Sequence, residues 1–353
     1  MKSRVLRPAA HLRSARLASP STSTPRLTLS ARAASSLSQK PNANHVSFPG
    51  AVKSAFTHTL KYETPSDYPA LSTYRVVDQD GIVVDESFKP DLSDDEVIKL
   101  YKDMVYISIM DLIMFDAQRQ GRLSFYMVSA GEGALSVGSA SVLAPEDVVF
   151  CQYREQGVFK QRGFTTSDFM SQLFANAKDP GRGRNMPVHY GSKELNIHSI
   201  SSPLATQLPQ ATGAAYALKM QRLHDPSIPP RVVAAHHSTS DDSFAYRARV
   251  EVEDWKRRDN PITRLRKWME ARGIWDEGKE KTCRDETRSE VLKGFREAEA
   301  MKKPPMRSMF EDVYEELTPD LKNQMAQLKA HLEKYPDEYD CSEFEGGADS
   351  LKP

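Results

Sequence analysis

Met186–Met220 reads MPVHYGSKELNIHSISSPLATQLPQATGAAYALKM, and its second half is written as a helix built to meet something closely. Ser202 suits an N-cap, and Pro203 suits the first helical position, where its missing N–H costs nothing. Ala211, Gly213, Ala214, Ala215 and Ala217 leave one face almost without side-chain bulk, so backbones can approach it. The Ser-Ser-Pro turn gathers hydroxyls and backbone groups at a helix start, where unsatisfied N–H groups and the dipole favour a polar ligand. An ordinary capped, tightly packed helix would carry the same residues.

Outward from this stretch the chain alternates helical and strand-like segments. Upstream, Ser93 and Glu96 form a capping box. Val97, Leu100, Met104 and Ile107 then continue at helical spacing towards Gly121, which suits the position after a helix end. Ala130–Leu143 mixes small residues with Leu and Val and reads as a second close-packed helix. Its Gly-Glu-Gly lacks the third glycine of a phosphate-binding fingerprint. Asp147–Phe150 is a short apolar strand delivering Cys151-Gln152-Tyr153-Arg154 into a loop, the carboxyl end of a strand being where open α/β sheets place ligands. Ser167–Ala177 reads as an amphipathic helix stopped by Asp179-Pro180-Gly181, and Arg182–Asn185 as a mobile basic loop. Downstream of the quoted stretch, Arg231–Ala235 reads as a buried strand leading directly into His236-His237-Ser238.

The margins are different in kind. No acidic residue occurs from Met1 to Lys40, where arginines punctuate a Ser/Ala/Leu background, the composition of a mitochondrial transit peptide, taken here as residues 1–45. Residues 46–92 read as an extended arm, with Asp80-Gly81 turning a hairpin between two β-branched runs. The body spans 93–246, and 247–353 is a charged helical region, with helices starting at Asn260-Pro261 and Thr318-Pro319. That region reads as a solvated appendage, or as a set of apolar stripes facing a partner.

Composition excludes several classes of function. Lys plus Arg and Asp plus Glu are both 48, so no global field recruits nucleic acid or a membrane surface. Three widely separated cysteines argue against a disulfide framework. The most apolar run, Met104–Phe115, is too short to span a bilayer. Adjacent His236 and His237 on an extended segment point to opposite faces, which disfavours a two-histidine metal site.

MPVHYGS, SISSPLATQ and GAAYA, with FCQYREQG at 150–157 and HHSTSDD at 236–242, together resemble the alpha subunits of branched-chain 2-oxoacid dehydrogenase E1 components. The resemblance implies an α/β thiamine-diphosphate-binding fold, a parallel sheet flanked by helices, with an N-terminal extension and a C-terminal helical region. It implies decarboxylation of branched-chain 2-oxoacids and acyl transfer to lipoyl groups of a transacylase core, in the mitochondrial matrix. The E1 beta subunit in an α2β2 heterotetramer and a regulatory kinase and phosphatase are its implied partners. Pyruvate-type alpha subunits carry His-Gly-His-Ser-Met-Ser-Asp in place of HHSTSDD, which favours branched-chain substrates.

Residue by residue, the resemblance places Gln152, Tyr153 and Arg154 at the cofactor, the last two at its pyrophosphate, where a guanidinium fork matches phosphate oxygens. Ser202 and the Leu204 backbone fall at the aminopyrimidine. Ser201, Pro203, Thr206 and Gln207 fall at a potassium site, and His237 beside the cofactor as the catalytic residue of acyl transfer. Ser238 falls at the phosphorylated serine; at the second such position this chain has Ala248. The segment that in the family carries Gly-Asp-Gly and the magnesium ligands is missing between Ala235 and His236, and no Gly-Asp-Gly occurs in the chain. An inactive chain that only binds the beta subunit is therefore the alternative reading, with a pyruvate-type alpha subunit as another.

Overall fold

The structure is a computed structural model that describes residues 45–46, 54–70, 72, 74–88, 91–235 and 249–351. The expected transit peptide up to residue 44, and His236, His237, Ser238 and Ala248, lie outside the described residues. Contacts divide the chain between Tyr74 and Arg75. In the smaller unit, β1 (His45–Val46) pairs antiparallel with β2 (Ser54–Ala55), and Phe56, Leu60, Tyr62, Tyr68 and Tyr74 are exposed.

The larger unit opens on the expected hairpin, reduced to a single bridge. Val77 faces Val83, with Asp78 donating to the Ile82 carbonyl at 2.9 Å and Val84 to the Val76 carbonyl at 2.9 Å. Gly81 turns it with φ +82°, and a Cβ there would lie 2.5 Å from the Trp268 nitrogen, so both conformation and contact require glycine.

α1 (Asp94–Arg119) is the central helix. Its capping box forms as expected, Ser93 accepting from the Glu96 N–H at 3.3 Å and Glu96 accepting from the Ser93 N–H at 2.8 Å. Gly121 takes φ +74° just past its end. Tyr101, Val105, Ile107, Met110 and Met114 are buried around most of its circumference, the pattern of a helix enclosed by neighbours. α2 (Gly133–Ser141) packs on it and on α3 (Gln156–Gln161).

Between α2 and α3 runs β3 (Val148–Phe150), the middle strand of a parallel three-stranded sheet ordered β4-β3-β5. Val149 lies opposite Ile197 of β4 (Ile197–His198) and Ala234 of β5 (Val233–Ala235). Its continuous apolar run suits a strand covered on both faces. β5 is half-buried rather than buried, and among the described residues its outer edge is unpaired.

α4 (Thr166–Leu173) is shorter than its sequence suggests. The expected helix to Ala177 stops at Leu173 because Ala175 adopts φ 52° and the Asn176 N–H turns back to the Ser171 carbonyl at 3.1 Å. The basic loop that follows is pinned. Asp179 accepts from Gly181 and Gly183 at 3.0 and 2.9 Å, and Arg182 and Arg184 both pair with Asp312.

α5 (Gln207–His224) lies over the sheet, where Ala211, Ala214 and Leu218 meet Val148, Phe150 and Val233. Its small-residue face is largely uncovered, since a Cβ on Gly213 would meet nothing within 4 Å and Ala211 is its one buried small residue. The close packing expected of that face is not made within the described residues.

The C-terminal region comprises α6 (Arg249–Arg258), α7 (Pro261–Ala271), α8 (Glu277–Glu299), α9 (Ser308–Glu311) and α10 (Pro319–Lys334). α8 corrects the reading of this region as an appendage. Packed on α1 and α4, it sends Val291, Phe295 and Ala298 into the principal core with Met110, Phe159, Phe169 and Tyr190. Glycine again permits the approach, for a Cβ on Gly294 would lie 2.6 Å from the Thr166 methyl. A satellite core of Met306, Met325, Leu332 and Leu351 completes the chain. No helix among the described residues is long and apolar enough to cross a membrane.

Candidate active site

Two segments meet at the carboxyl ends of the strands. The first, Cys151–Glu155, leaves β3 and is held by Glu155, whose carboxylate accepts from the Gln152 N–H at 2.6 Å. The Glu155 carboxyl is pushed up to about 7, chiefly by burial, against the lowering pull of the Gln152 N–H and with a smaller push from the Glu132 carboxylate. Gln152 is fully enclosed. Tyr153 is also buried, its ring edge-on to Phe125 at 6.4 Å.

Arg154 is mostly buried, with its side chain 16% exposed, and so differs from the surface salt bridge that an isolated Tyr-Arg pair would suggest. Its Nη1 reaches Glu132 at the start of α2 at 3.3 Å, and its Nη2 lies 3.7 Å from the Met127 sulfur. Nε is buried and has no hydrogen-bond partner among the described residues. A buried donor left unspent costs free energy, so Nε–H is available to a further acceptor.

The second segment, Ser201–Gln207, corrects the local reading of the sequence. The helix begins at Gln207 with Thr206 as its cap residue, four residues later than an N-cap at Ser202 requires. Ala205 at φ 60° breaks any helical continuation from Pro203. The freed residues form a turn that folds its own oxygens together. Gln207 Nε2 donates to the Ser201 carbonyl at 3.0 Å, and the Thr206 hydroxyl donates to the Pro203 carbonyl at 3.0 Å. Gln207 Oε1 is buried without a partner among the described residues. Leu204 is 51% exposed on the rim.

His189, part of the MPVHYGS motif but given no role by it, joins the two segments. Its Nε2 lies 2.5 Å from the Ser202 hydroxyl, and its ring sits 6.1 Å from that of Tyr153. A groove of about 400 Å³ opens beside it, lined also by Asp179, Asn185, Lys193 and His198. Neither Tyr153, Arg154 nor Ser202 lines that groove. The structure thus brings Tyr153 and Ser202 together through one imidazole, and Ser201, Pro203, Thr206 and Gln207 into one turn. It leaves His237 and Ser238 outside the described residues.

A short parallel sheet flanked by helices, with polar side chains beyond its carboxyl ends, makes this an α/β protein. The sequence matches the Dehydrogenase E1 component family over residues 101–228 and 233–307, and the chain belongs to that family. It is similar to the 2-oxoisovalerate dehydrogenase subunit alpha, mitochondrial, of Caenorhabditis elegans, at 36% identity over 384 residues covering 82% of this chain and 89% of the relative. The Homo sapiens protein of that name is 35% identical over 405 residues, covering 88% of this chain and 90% of the relative. Subunit alpha 1 of Arabidopsis thaliana is 33% identical over 393 residues, covering 84% and 83%. Each alignment is longer than the 353 residues of this chain, so the relatives carry residues with no counterpart here.

E1 components depend on thiamine diphosphate, and the residues present fit part of that cofactor. The unspent Arg154 Nε suits a phosphate oxygen. Among the described residues no group of three or more His, Cys, Asp or Glu converges on one point.

Proposed function

We propose that the chain is the alpha subunit of a branched-chain 2-oxoacid dehydrogenase E1 component. As such it pairs with an E1 beta subunit and takes part in the oxidative decarboxylation of branched-chain 2-oxoacids in mitochondria. The observation that carries this reading is the ordered match to subunits of that name across most of the chain. The joining of the Tyr153 and Ser202 segments at the strand ends supports it.

Within that role Gln152, Tyr153 and Arg154 line the pyrophosphate end of thiamine diphosphate, while Ser202 and the Leu204 backbone touch the aminopyrimidine. The bound cofactor supplies the electron sink for loss of carbon dioxide. The protein contributes placement and charge. Arg154 offers a fork of N–H donors, its buried Nε–H unspent among the described residues, and burial strengthens each contact it makes. Ser201, Pro203, Thr206 and Gln207 hold potassium; two carbonyls, a hydroxyl and a buried amide oxygen gathered in one turn are the weak oxygen donors such an ion takes. His237 serves acyl transfer to lipoyl groups of the transacylase core, an imidazole being able to move a proton near neutrality. Ser238 is the target of a regulatory kinase and phosphatase, and the setting is the matrix.

The missing metal ligands favour a second reading, an alpha chain that binds its beta partner without turnover. One measurement separates the two: the chain is co-expressed with a beta subunit and assayed for turnover of 3-methyl-2-oxobutanoate with thiamine diphosphate and magnesium. Turnover above a beta-only control establishes the catalytic reading. A complex without turnover establishes the second, and no complex overturns both.

A further inference from the structure

The loop at residues 186–191 contains a strained backbone position that turns one imidazole inward. Val188 adopts φ 64°, a left-handed conformation that β-branched residues strongly avoid, and it is fully buried. Strain of this kind persists only where the surroundings impose it. The imposed turn, closed by the His189 N–H donating to the Met186 carbonyl at 3.1 Å, carries His189 inward to 5% exposure. There Nδ1 meets the Pro187 carbonyl at 3.0 Å. A carbonyl only accepts, so Nδ1 carries the proton, and in the neutral ring Nε2 is left as an acceptor. The hydroxyl 2.5 Å away is that of Ser202, which therefore donates.

A second close approach brings Ser202 to the ring. The Tyr190 carbonyl accepts from the Ile200 N–H at 2.9 Å, and a Cβ on Gly191 would lie 2.5 Å from the Ser199 hydroxyl. Residues 189–191 and 199–202 are thus side by side, with room for nothing larger than glycine.

We propose that His189 is the positioning residue of this loop: held in a single tautomer by Pro187, it fixes the direction of the Ser202 hydroxyl and ties it to the Tyr153 ring. The proposal rests on the reading of Ser202 as a cofactor contact. With its proton given to His189, Ser202 presents oxygen lone pairs to whatever lies beyond, and so accepts from an amino group such as the one an aminopyrimidine carries. His189 touches no substrate in this scheme and acts through Ser202.

Two measurements on the full chain test it. Side-chain nitrogen NMR of histidine-labelled protein, with His189 assigned through His189→Gln, should show protonation at Nδ1 and an accepting Nε2 whose signal moves in Ser202→Ala. Protonation at Nε2, or an Nε2 signal unmoved by Ser202→Ala, overturns the proposal whatever the cofactor does. In titrations with thiamine diphosphate and magnesium, His189→Phe and Ser202→Ala should each weaken binding up to roughly tenfold, the loss of one part-buried hydrogen bond. The double variant should be no worse than either single one, and His189→Gln should recover most of the loss. Losses that multiply overturn the coupling. A parent chain that binds no cofactor, with the imidazole signals as expected, overturns the cofactor reading of Ser202 and leaves its orientation by His189 standing.

Discussion

Glu280 of α8 accepts a hydrogen bond from the Tyr101 hydroxyl of α1 at 2.8 Å, and this contact fastens the C-terminal region to the central helix. The same carboxylate oxygen accepts from the Trp275 indole at 2.9 Å, and Glu280 is 2% exposed. Replacing it with alanine leaves a buried phenol and indole without an acceptor and a nearby Arg284 without its partner. Glu280→Ala should cost about 3 kcal/mol, read from denaturant unfolding. Burial pushes the Glu280 carboxyl up, but hydrogen bonds from Trp275, Tyr101 and Arg284 together bring it below the ordinary glutamate value of 4.5. A depressed carboxylate stabilises above its unfolded value, and that contribution is lost as pH falls through its folded value. Parent stability should therefore drop below pH 4.5 more steeply than that of Glu280→Gln.

Glu155 has the opposite sign. Its carboxyl is raised to about 7 from 4.5, chiefly by burial, so the folded chain holds this proton more tightly than the unfolded chain. Its contribution is complete below 4.5 and is lost as pH rises towards 7. Glutamine keeps an acceptor for the Gln152 N–H and carries no titrating charge. Glu155→Gln should flatten the decline in stability across that window, measured by urea midpoints at a series of pH values; an unchanged slope would show that the carboxyl titrates normally.

Among the described residues Arg154 makes one ion pair, at 3.3 Å with a partly exposed Glu132, and its buried Nε–H has no hydrogen bond to lose. Arg154→Ala should lower folding stability by less than about 1 kcal/mol. In a relative that carries the metal segment, the matching substitution should weaken thiamine diphosphate binding by roughly 1.5–3 kcal/mol, the worth of a charged hydrogen bond. Melting curves and cofactor titrations decide it, and comparable losses in both would make this arginine a structural residue.

Gly191→Ala sets a Cβ 2.5 Å from the Ser199 hydroxyl and 2.8 Å from its Cα, so the 199–202 backbone has to move. A loss of about 1–3 kcal/mol is expected from overpacking of this kind, read as a lower melting temperature. The Ser202 hydroxyl should separate from His189 in the same variant, visible as a change in the His189 ring signals.

Local pattern determined α1, β3 and the Asp80-Gly81 turn, because each depends on residues within a few positions: a capping box, a continuous apolar run, a glycine at positive φ. Ordered motifs determined the family. The start of α5 was not legible, since Ser202-Pro203 satisfies every local rule for a helix N-terminus, whereas Ala205 at φ 60° and Gln207 bonding back to Ser201 decide otherwise. Nor could the sequence show that α8 is core: its helical face is mostly charged, and only the docking of Val291 and Phe295 between α1 and α4 buries it. His189 lies 13 positions from Ser202 and 36 from Tyr153, and Glu132 lies 22 from Arg154. Such pairings depend on which loops the β4-β3-β5 order and the Gly191 approach bring side by side, a long-range property that only the tertiary structure decides.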